Sequence, residues 1–452
     1  MHVPKRLYVA VGSILIGIGL VVLTTDDDSI ATDLELLEVV RRSDLATIER
    51  YLAEGGSPDT TLAVHGENIS LLKAAIADRE SAIATALLDA GADFASSGAT
   101  LSDVASNGLG EVLERFLPLS KDQPIAYTGV AFAAASGYYD VVKMYVDKAD
   151  DRTDEWAREF GRAAATAMMV RYDDIARLLF DAGAKGDNTL IGAARFSSPG
   201  MIRYLLSRGI SATDGLNVAE ATGAGFAERT PIEFALRRYR EGALHDQERG
   251  NDAGRFVRNH DAEYVLYELL RAGAKIDGVD LREIAKDGLA ELNVLPSVAK
   301  LSAAARIGYI DVVAELLSGD REWDEGILRE SLIAAFANDH DDIARLLLLS
   351  GAPVDRGVLH MASAASSAGM VRYLVSLGAD PNERFEGETP LEWWLERAST
   401  QDPEYILHEL IMWGADACWL LARRDQLPGL SGVILHGSAP HCWDEAPSQT
   451  AD

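Results

Sequence analysis

Two cysteines in 452 residues are too few for a disulfide-dense scaffold or a four-thiolate zinc site. Basic residues are also short: 42 Lys and Arg stand against 71 Asp and Glu, a formal balance of −29. An acidic excess of this size repels phosphate backbones and excludes sequence-independent nucleic-acid binding. The chain contains no Gly-x-Ser-x-Gly, no glycine-rich phosphate loop ending in Lys-Ser/Thr and no His-Glu-x-x-His. The common signatures of hydrolases, nucleotide binding and zinc proteolysis are therefore missing. Long apolar runs are missing too, after one at the start. What is present is a folded composition, 48% hydrophobic and 25% charged. At about 150 residues per domain, the length suits three ordinary domains or one long repeat array.

The one apolar run, Leu7 to Thr25, carries no charge. As a helix at about 1.5 Å per residue it spans about 28 Å, close to the hydrocarbon thickness of a bilayer. Lys5 and Arg6 precede it and Asp26 to Asp28 follow it. Basic flanks stay inside, so residues 1–6 are expected in the cytosol, 7–25 as a transmembrane signal-anchor helix, and the rest outside the cytosol. A cleaved signal peptide shares this pattern. The length of the run and the absence of an A-x-A-like site before Asp26 favour the anchor. Ser13 and Gly17 form a small-xxx-small pair of the kind that packs helix on helix. Beyond Ile30 apolar residues recur every three or four positions, so no second span is expected. With Asn68-Ile69-Ser70 as the single glycosylation sequon, a bacterial inner membrane facing the periplasm is preferred over the ER lumen.

A short phrase returns along the chain: an apolar pair, a few variable residues, then Gly-Ala and a polar residue. It occurs at Leu87–Asp93, Leu178–Lys185, Leu269–Lys275, Leu346–Pro353, Leu374–Asp380 and Leu410–Asp416. Such a phrase ends an amphipathic helix, with Gly at the left-handed C′ position where a Cβ is penalised. Gly183 and Gly351 are expected there. Upstream helices carry small residues, as in Ala131–Gly137 and Leu301–Gly308, which lets neighbouring helices approach closely. These residues resemble the ankyrin repeat family, whose signature is T-P-L-H-x-A followed by LL-x-x-G-A-D. The likeness is carried by Leu359-His360-Met361-Ala362, Thr389-Pro390-Leu391, Thr230-Pro231-Ile232 and Gly378-Ala379-Asp380-Pro381-Asn382. Trp394 departs from it, standing where the pattern has a small residue. The resemblance spans residues 30–426 and implies an all-α ankyrin-repeat solenoid of about 10–12 helix pairs that binds protein partners.

A longer period lies over the short one. Asp173–Leu179 recurs identically at Asp341–Leu347, 168 residues on. Gly137–Val142 returns at Gly308–Val313, Gly200–Leu205 at Gly369–Leu374, and Glu263–Leu269 at Glu404–Leu410. A block of repeats is duplicated: 124–298 is block 1, 299–430 is block 2, and 30–122 is a partial block. The tail is 431–452. Shrinking offsets place an insertion in block 1 at 237–262, expected as a loop on the binding face. It holds Arg237, Arg238, Arg240, Arg249, Arg255 and Arg258, no Lys, and a balance of +1. Guanidinium forks suit bidentate carboxylate recognition, so these six are candidate contacts to an acidic partner.

Candidate chemistry is sparse. The resemblance makes His360 the structural histidine of its repeat, bonding a neighbouring turn. His340 sits before Asp341 and Asp342, and this pair, like Asp173 and Asp174, heads a helix where negative charge meets the dipole. His436, His441, Cys442 and Asp444 have mixed ligand character but no fixed helical spacing. Cys418 and Cys442 each precede a Trp near the array's end; in an oxidising compartment they are expected to pair and staple the tail. The expectation is a non-catalytic, membrane-tethered scaffold or adaptor for a protein partner, with no cofactor, metal or small-molecule substrate. A cleaved, exported ankyrin protein is the alternative, and an enzyme or metal site at the C-terminal His/Cys cluster is the third.

Overall fold

The computed structural model describes residues 33–421 apart from 65–66, 117–127, 149–153, 187–188, 214–229, 250–260, 276–280, 282–283, 320, 356 and 398–402. Its unit is a pair of helices joined by a short turn, and α9 (Asp154–Met169) with α10 (Asp173–Asp181) shows how sequence builds one. The two acids opening α10 suit the positive end of the helix dipole. Ile175, Ala176, Leu179 and Phe180 recur at helical spacing and form its buried stripe. The helix ends in a Schellman motif: Gly183 takes φ +105°, its N–H donates to Phe180 O at 3.0 Å, and Ala184 N donates to Leu179 O at 3.0 Å. Gly351, at φ +90°, closes α19 (Asp341–Leu349) with the same bonds. The expected left-handed positions are found at both.

Seven pairs run in order through the first part: α1 (Asp33–Arg41) and α2 (Leu45–Ala53), α3 (Leu71–Ala77) and α4 (Ser81–Asp89), α5 (Leu101–Ser106) and α6 (Gly110–Glu114), α7 (Thr128–Ala135) and α8 (Tyr139–Asp147), α9 and α10, α11 (Thr189–Phe196) and α12 (Pro199–Ser207), α13 (Pro231–Arg249) and α14 (Ala262–Arg271). A single helix, α15 (Gly288–Asn293), leads to four more pairs: α16 (Ser297–Ile307) and α17 (Ile310–Leu317), α18 (Glu325–Phe336) and α19, α20 (Val358–Ala365) and α21 (Ala368–Ser376), α22 (Pro390–Arg397) and α23 (Pro403–Met412). A short α24, Cys418–Leu421, follows. First helices stack on first helices through small residues. Ala133, Ala134, Ala163, Ala164, Ala193 and Ala194 are all fully buried, and Ala304 and Ala305 repeat the device in the second array. Each pair leaves an apolar face that only the next pair covers.

Several expectations need correction. A hairpin of β1 (Thr61–Val64) and β2 (Glu67–Ser70) interrupts the helical repeat, with Thr61 opposite Ser70 and Leu62 buried beneath it. The insertion after Pro231 does not begin as a loop. Its first part continues α13 through Arg249, because Arg, Glu, Ala and Leu are strong helix formers and Arg237 pairs with Glu241 one turn on. Trp394 is buried, as is Trp393, whose ring meets Phe385 and His360 edge-on. Most important, the array is not one open stack: block 2 folds back on block 1, with α19 against α10 and α21 against α8.

Candidate functional site

The seam between the arrays is built from the duplicated phrases. Arg177 Nε donates to Asp342 Oδ2 at 3.0 Å, and Arg345 Nε donates to Asp174 Oδ2 at 3.0 Å. Arg345 lies 168 residues after Arg177, as Asp342 does after Asp174, so this is one contact made twice with the blocks exchanged. The same holds for Tyr309 OH to Glu268 at 3.0 Å and Tyr138 OH to Glu409 at 3.2 Å. Arg203 bonds Asp311, with Nε to Oδ2 at 2.9 Å, and Arg372 reaches Asp140 at 3.5 Å. Gly200 N donates to Gly308 O at 3.0 Å, so close that a Cβ on Gly200 would strike that carbonyl; a Cβ on Gly369 would strike Gly137 O. Reciprocal contacts of this kind are the mark of a two-fold interface, here internal to one chain. At its centre Arg171 and Asp339, also 168 apart, pair with each other at 3.5 Å.

The four helix-heading aspartates are all buried. Asp173 accepts from Ser198 N at 3.0 Å and Ser198 Oγ at 2.8 Å, tying one repeat to the next. Asp341 accepts likewise from Ser366 Oγ and from Ser367 N at 3.3 Å. Burial, and then the charge of Asp174, push the Asp341 carboxyl up to about 7. Burial raises Asp342 to about 6, against the pull of Arg177. Beside them His340 is held down at about 4 by burial, with the Arg171 charge adding to it, so its ring is neutral at pH 7. The acids thus do more than meet helix dipoles. Asp174 and Asp342 clamp the arrays together, and Asp173 and Asp341 tie successive repeats.

Beside this clamp opens a cleft of about 400 Å³. Its walls come from α10, α12, α14 and α17, and its charged groups are Arg177, Arg203, Arg271, Glu268 and Asp311, joined by Tyr204 and Ser207. Arg203 is shared between Asp311 and Glu268, the latter at 3.5 Å. Burial raises the Glu268 carboxyl above the usual range, and Arg203 only partly opposes it. The walls offer charge and hydrogen bonds, and hold no nucleophile–base pair. None of these residues stood out as a site in the sequence. The available signal was that Arg203, Tyr204 and Glu268 recur in the second block.

The ankyrin repeat family model matches residues 355–384, which comprise α20, α21 and the turn after them. Residues 355–384 form an ankyrin repeat. No curated protein matches it. The ankyrin histidine behaves as the resemblance implied: buried His360 donates from Nε2 to Glu388 O at 2.9 Å, fastening one repeat to the next turn. Ankyrin repeats are typically protein-interaction modules, and the match suggests a role of that kind.

The six arginines of the insertion do not act together. Arg238 is buried, pairs with Asp261 and donates from Nη1 to Ser197 O at 2.7 Å. Burial opposes the Asp261 charge, but Arg238 and Arg171 outweigh it and hold the carboxyl low. Arg238 is a fastener inside the array, like its counterpart Arg397, which pairs with Glu388 at 2.5 Å. Arg237 is half-buried beside Glu241, and Arg240 is exposed on α13. Arg249 ends α13, while Arg255 and Arg258 lie outside the described residues. Cys418 opens α24 and is disulfide-bonded; Cys442, His436, His441 and Asp444 lie outside the described residues. Among the described residues no group of three or more His, Cys, Asp or Glu side chains is placed to hold a metal ion. No described helix is long and apolar enough to cross a membrane; residues 7–25 lie outside the described part.

Proposed function

We propose that this chain is a non-catalytic scaffold that binds a protein partner outside the cytosol and is tethered by residues 7–25. The observation that carries the reading is the ankyrin repeat at 355–384 within a chain of such helix pairs. The disulfide at Cys418 supports an oxidising compartment, since such bonds persist outside the reducing cytosol. Its partner in this reading is Cys442, the chain's other cysteine. Arg237, Arg240, Arg249, Arg255 and Arg258 remain the contacts proposed for an acidic partner, with Arg238 withdrawn to the interior.

Cross-linking of the full-length protein in intact bacterial cells tests this reading. The protein is expected in the membrane fraction, open to protease added from the periplasmic side, without free thiols when denatured unreduced, and cross-linked to one partner. Changing Arg249, Arg255 and Arg258 to Ser should abolish that cross-link and leave the melt unchanged. A mature N-terminus near Asp26 would replace the tether by an exported form. Protection from external protease, or no cross-linked partner, would refute the scaffold reading.

A further inference from the structure

The pseudo-two-fold carries the cleft onto a second set of residues. Arg177 maps to Arg345, Arg203 to Arg372, Tyr204 to Tyr373, Glu268 to Glu409 and Asp311 to Asp140. The polar walls are therefore kept. Four positions change: Leu206 becomes Val375, Arg271 becomes Met412, and the larger Trp413 and Tyr139 replace Ala272 and Ile310. In the second set these larger side chains engage the polar groups. The Arg345 guanidinium lies 3.7 Å from the Tyr139 ring and 5.0 Å from the Tyr373 ring, and both its Nε and Nη2 reach Asp174 at 3.0 Å. Trp413 Nε1 donates to Glu409 Oε2 at 3.3 Å, beside two bonds from Arg372.

The first set is left unsaturated. Arg177 gives Asp342 one bond, and its Nη2 is buried without a hydrogen-bond partner, a costly state for a donor in an interior. Arg271 has a side chain 57% exposed and reaches Glu268 only at 3.7 Å. Arg203 already serves both lining acids. The lining holds three guanidiniums against two carboxylates, with Asp342 behind Arg177. Ala272 in place of Trp leaves room for an occupant, and the volume falls in the usual range for small ligand sites, about 300–1,000 Å³. Donors without acceptors, arranged as forks, call for a planar anion.

We propose that the cleft between α12, α14 and α17 binds a carboxylate group, with Arg177 and Arg271 as its donors. An acidic side chain of the protein partner and a free dicarboxylate present the same chemistry, and the former rests on the scaffold reading above. Calorimetric titration of the full-length protein decides between them, with glutarate, acetyl-Glu-Glu-amide and the uncharged acetyl-Gln-Gln-amide as probes. At least one acidic probe should bind, about tenfold or more tighter than the Gln peptide. Binding of the peptide alone assigns a partner's side chain, and equal binding of glutarate assigns a free dicarboxylate. Arg271→Met and Ala272→Trp place the twin's residues in the cleft, so each should weaken binding about tenfold or more while the melt stays at wild type. The reverse pair, Met412→Arg with Trp413→Ala, should create a second site. Absence of heat with both acidic probes, or affinities that Arg271→Met and Ala272→Trp do not alter, would overturn the proposal. Failed titration with the cellular cross-link intact removes the cleft alone. Bound glutarate without any cross-linked partner removes the scaffold alone.

Discussion

Glu268 and Glu409 occupy twin positions, are equally buried, and shift in opposite directions. Burial raises both. At Glu409 the charge of Arg372 and its two bonds, at 2.6 and 3.1 Å, with His408 and Arg79 adding to them, reverse that effect and hold the carboxyl below its usual range. At Glu268 the corresponding arginine has turned to Asp311, and burial wins. The same fold and the same residue types therefore give opposite charge behaviour according to which acid the arginine chooses. Duplication kept the framework and freed one half of the seam to lose its internal partners. The central pair teaches the same lesson. In a dimer of identical blocks the position of Arg171 and Asp339 would face its own copy, like against like. Here the two have opposite charge and attract.

The strongest way to break the comparison is to remove one acid of each reciprocal clamp. Asp342→Ala strands Arg177, and Asp174→Ala strands Arg345, whose side chains are only 14% and 13% exposed at the seam. Leaving one member of a buried pair uncompensated typically costs about 3–5 kcal/mol. Urea unfolding should show Asp174→Ala as the worse of the two. Arg345 uses two nitrogens on Asp174, whereas Arg177 gives Asp342 one bond and otherwise borders the cleft. Equal losses would mean that the cleft gives Arg177 no relief. Next in size are Gly200→Ala and Gly369→Ala, which drive a methyl group into the backbone carbonyls of Gly308 and Gly137. Overpacking of this kind costs about 1–3 kcal/mol. Gly200 lines the cleft, so the seam should yield there more easily and Gly369→Ala should melt lower.

The helix pairs were legible in the sequence because their signals are local. Gly183 and Gly351 mark helix ends that only a left-handed residue can close, and the alanine runs announce close stacking. The duplication was legible from Asp173–Leu179 and its copy. Its consequence was not. Two acids opening a helix read as dipole partners, and nothing nearby in the chain says that their arginines come from 165 and 171 residues away. A signal did exist. Polar residues on helix faces that survive identically in both copies, as Asp174, Arg177 and Arg203 do, are better explained by a shared contact than by solvent. Arg238 was missed for a related reason: read within its basic stretch it belongs to a loop, but aligned with Arg397 it belongs to the repeat. The cleft was beyond reach because it depends on Ala272 and Ile310 being smaller than their twins, which matters only once the two halves are in place.

The smallest expected effect concerns Asp341, where the seam's own charge can be titrated. Burial and the facing Asp174 raise this carboxyl from 3.8 to about 7, against bonds from Ser366 and Ser367. The folded chain therefore holds a proton between those two values that the unfolded chain has released. Stability contributed by this group falls as pH rises through that window and is lowest above 7. Asparagine never ionises, so Asp341→Asn escapes the loss while keeping a side-chain oxygen for Ser366. The variant should gain about 2–4 °C on wild type between pH 5, where the folded aspartate is protonated, and pH 8, where it is ionised. His340 and His408, held neutral by burial at about 4 and about 3, also change the folding balance on acidification. They do so in both proteins, and the effect cancels in the difference between the two melts. Asp342 sits one residue away but faces Arg177, so Asp342→Asn should lose more from the weakened ion pair than it gains from neutrality. A constant gap between the Asp341→Asn and wild-type melts from pH 5 to 8 would show that the folded carboxyl is ionised throughout that range and that burial does not raise it.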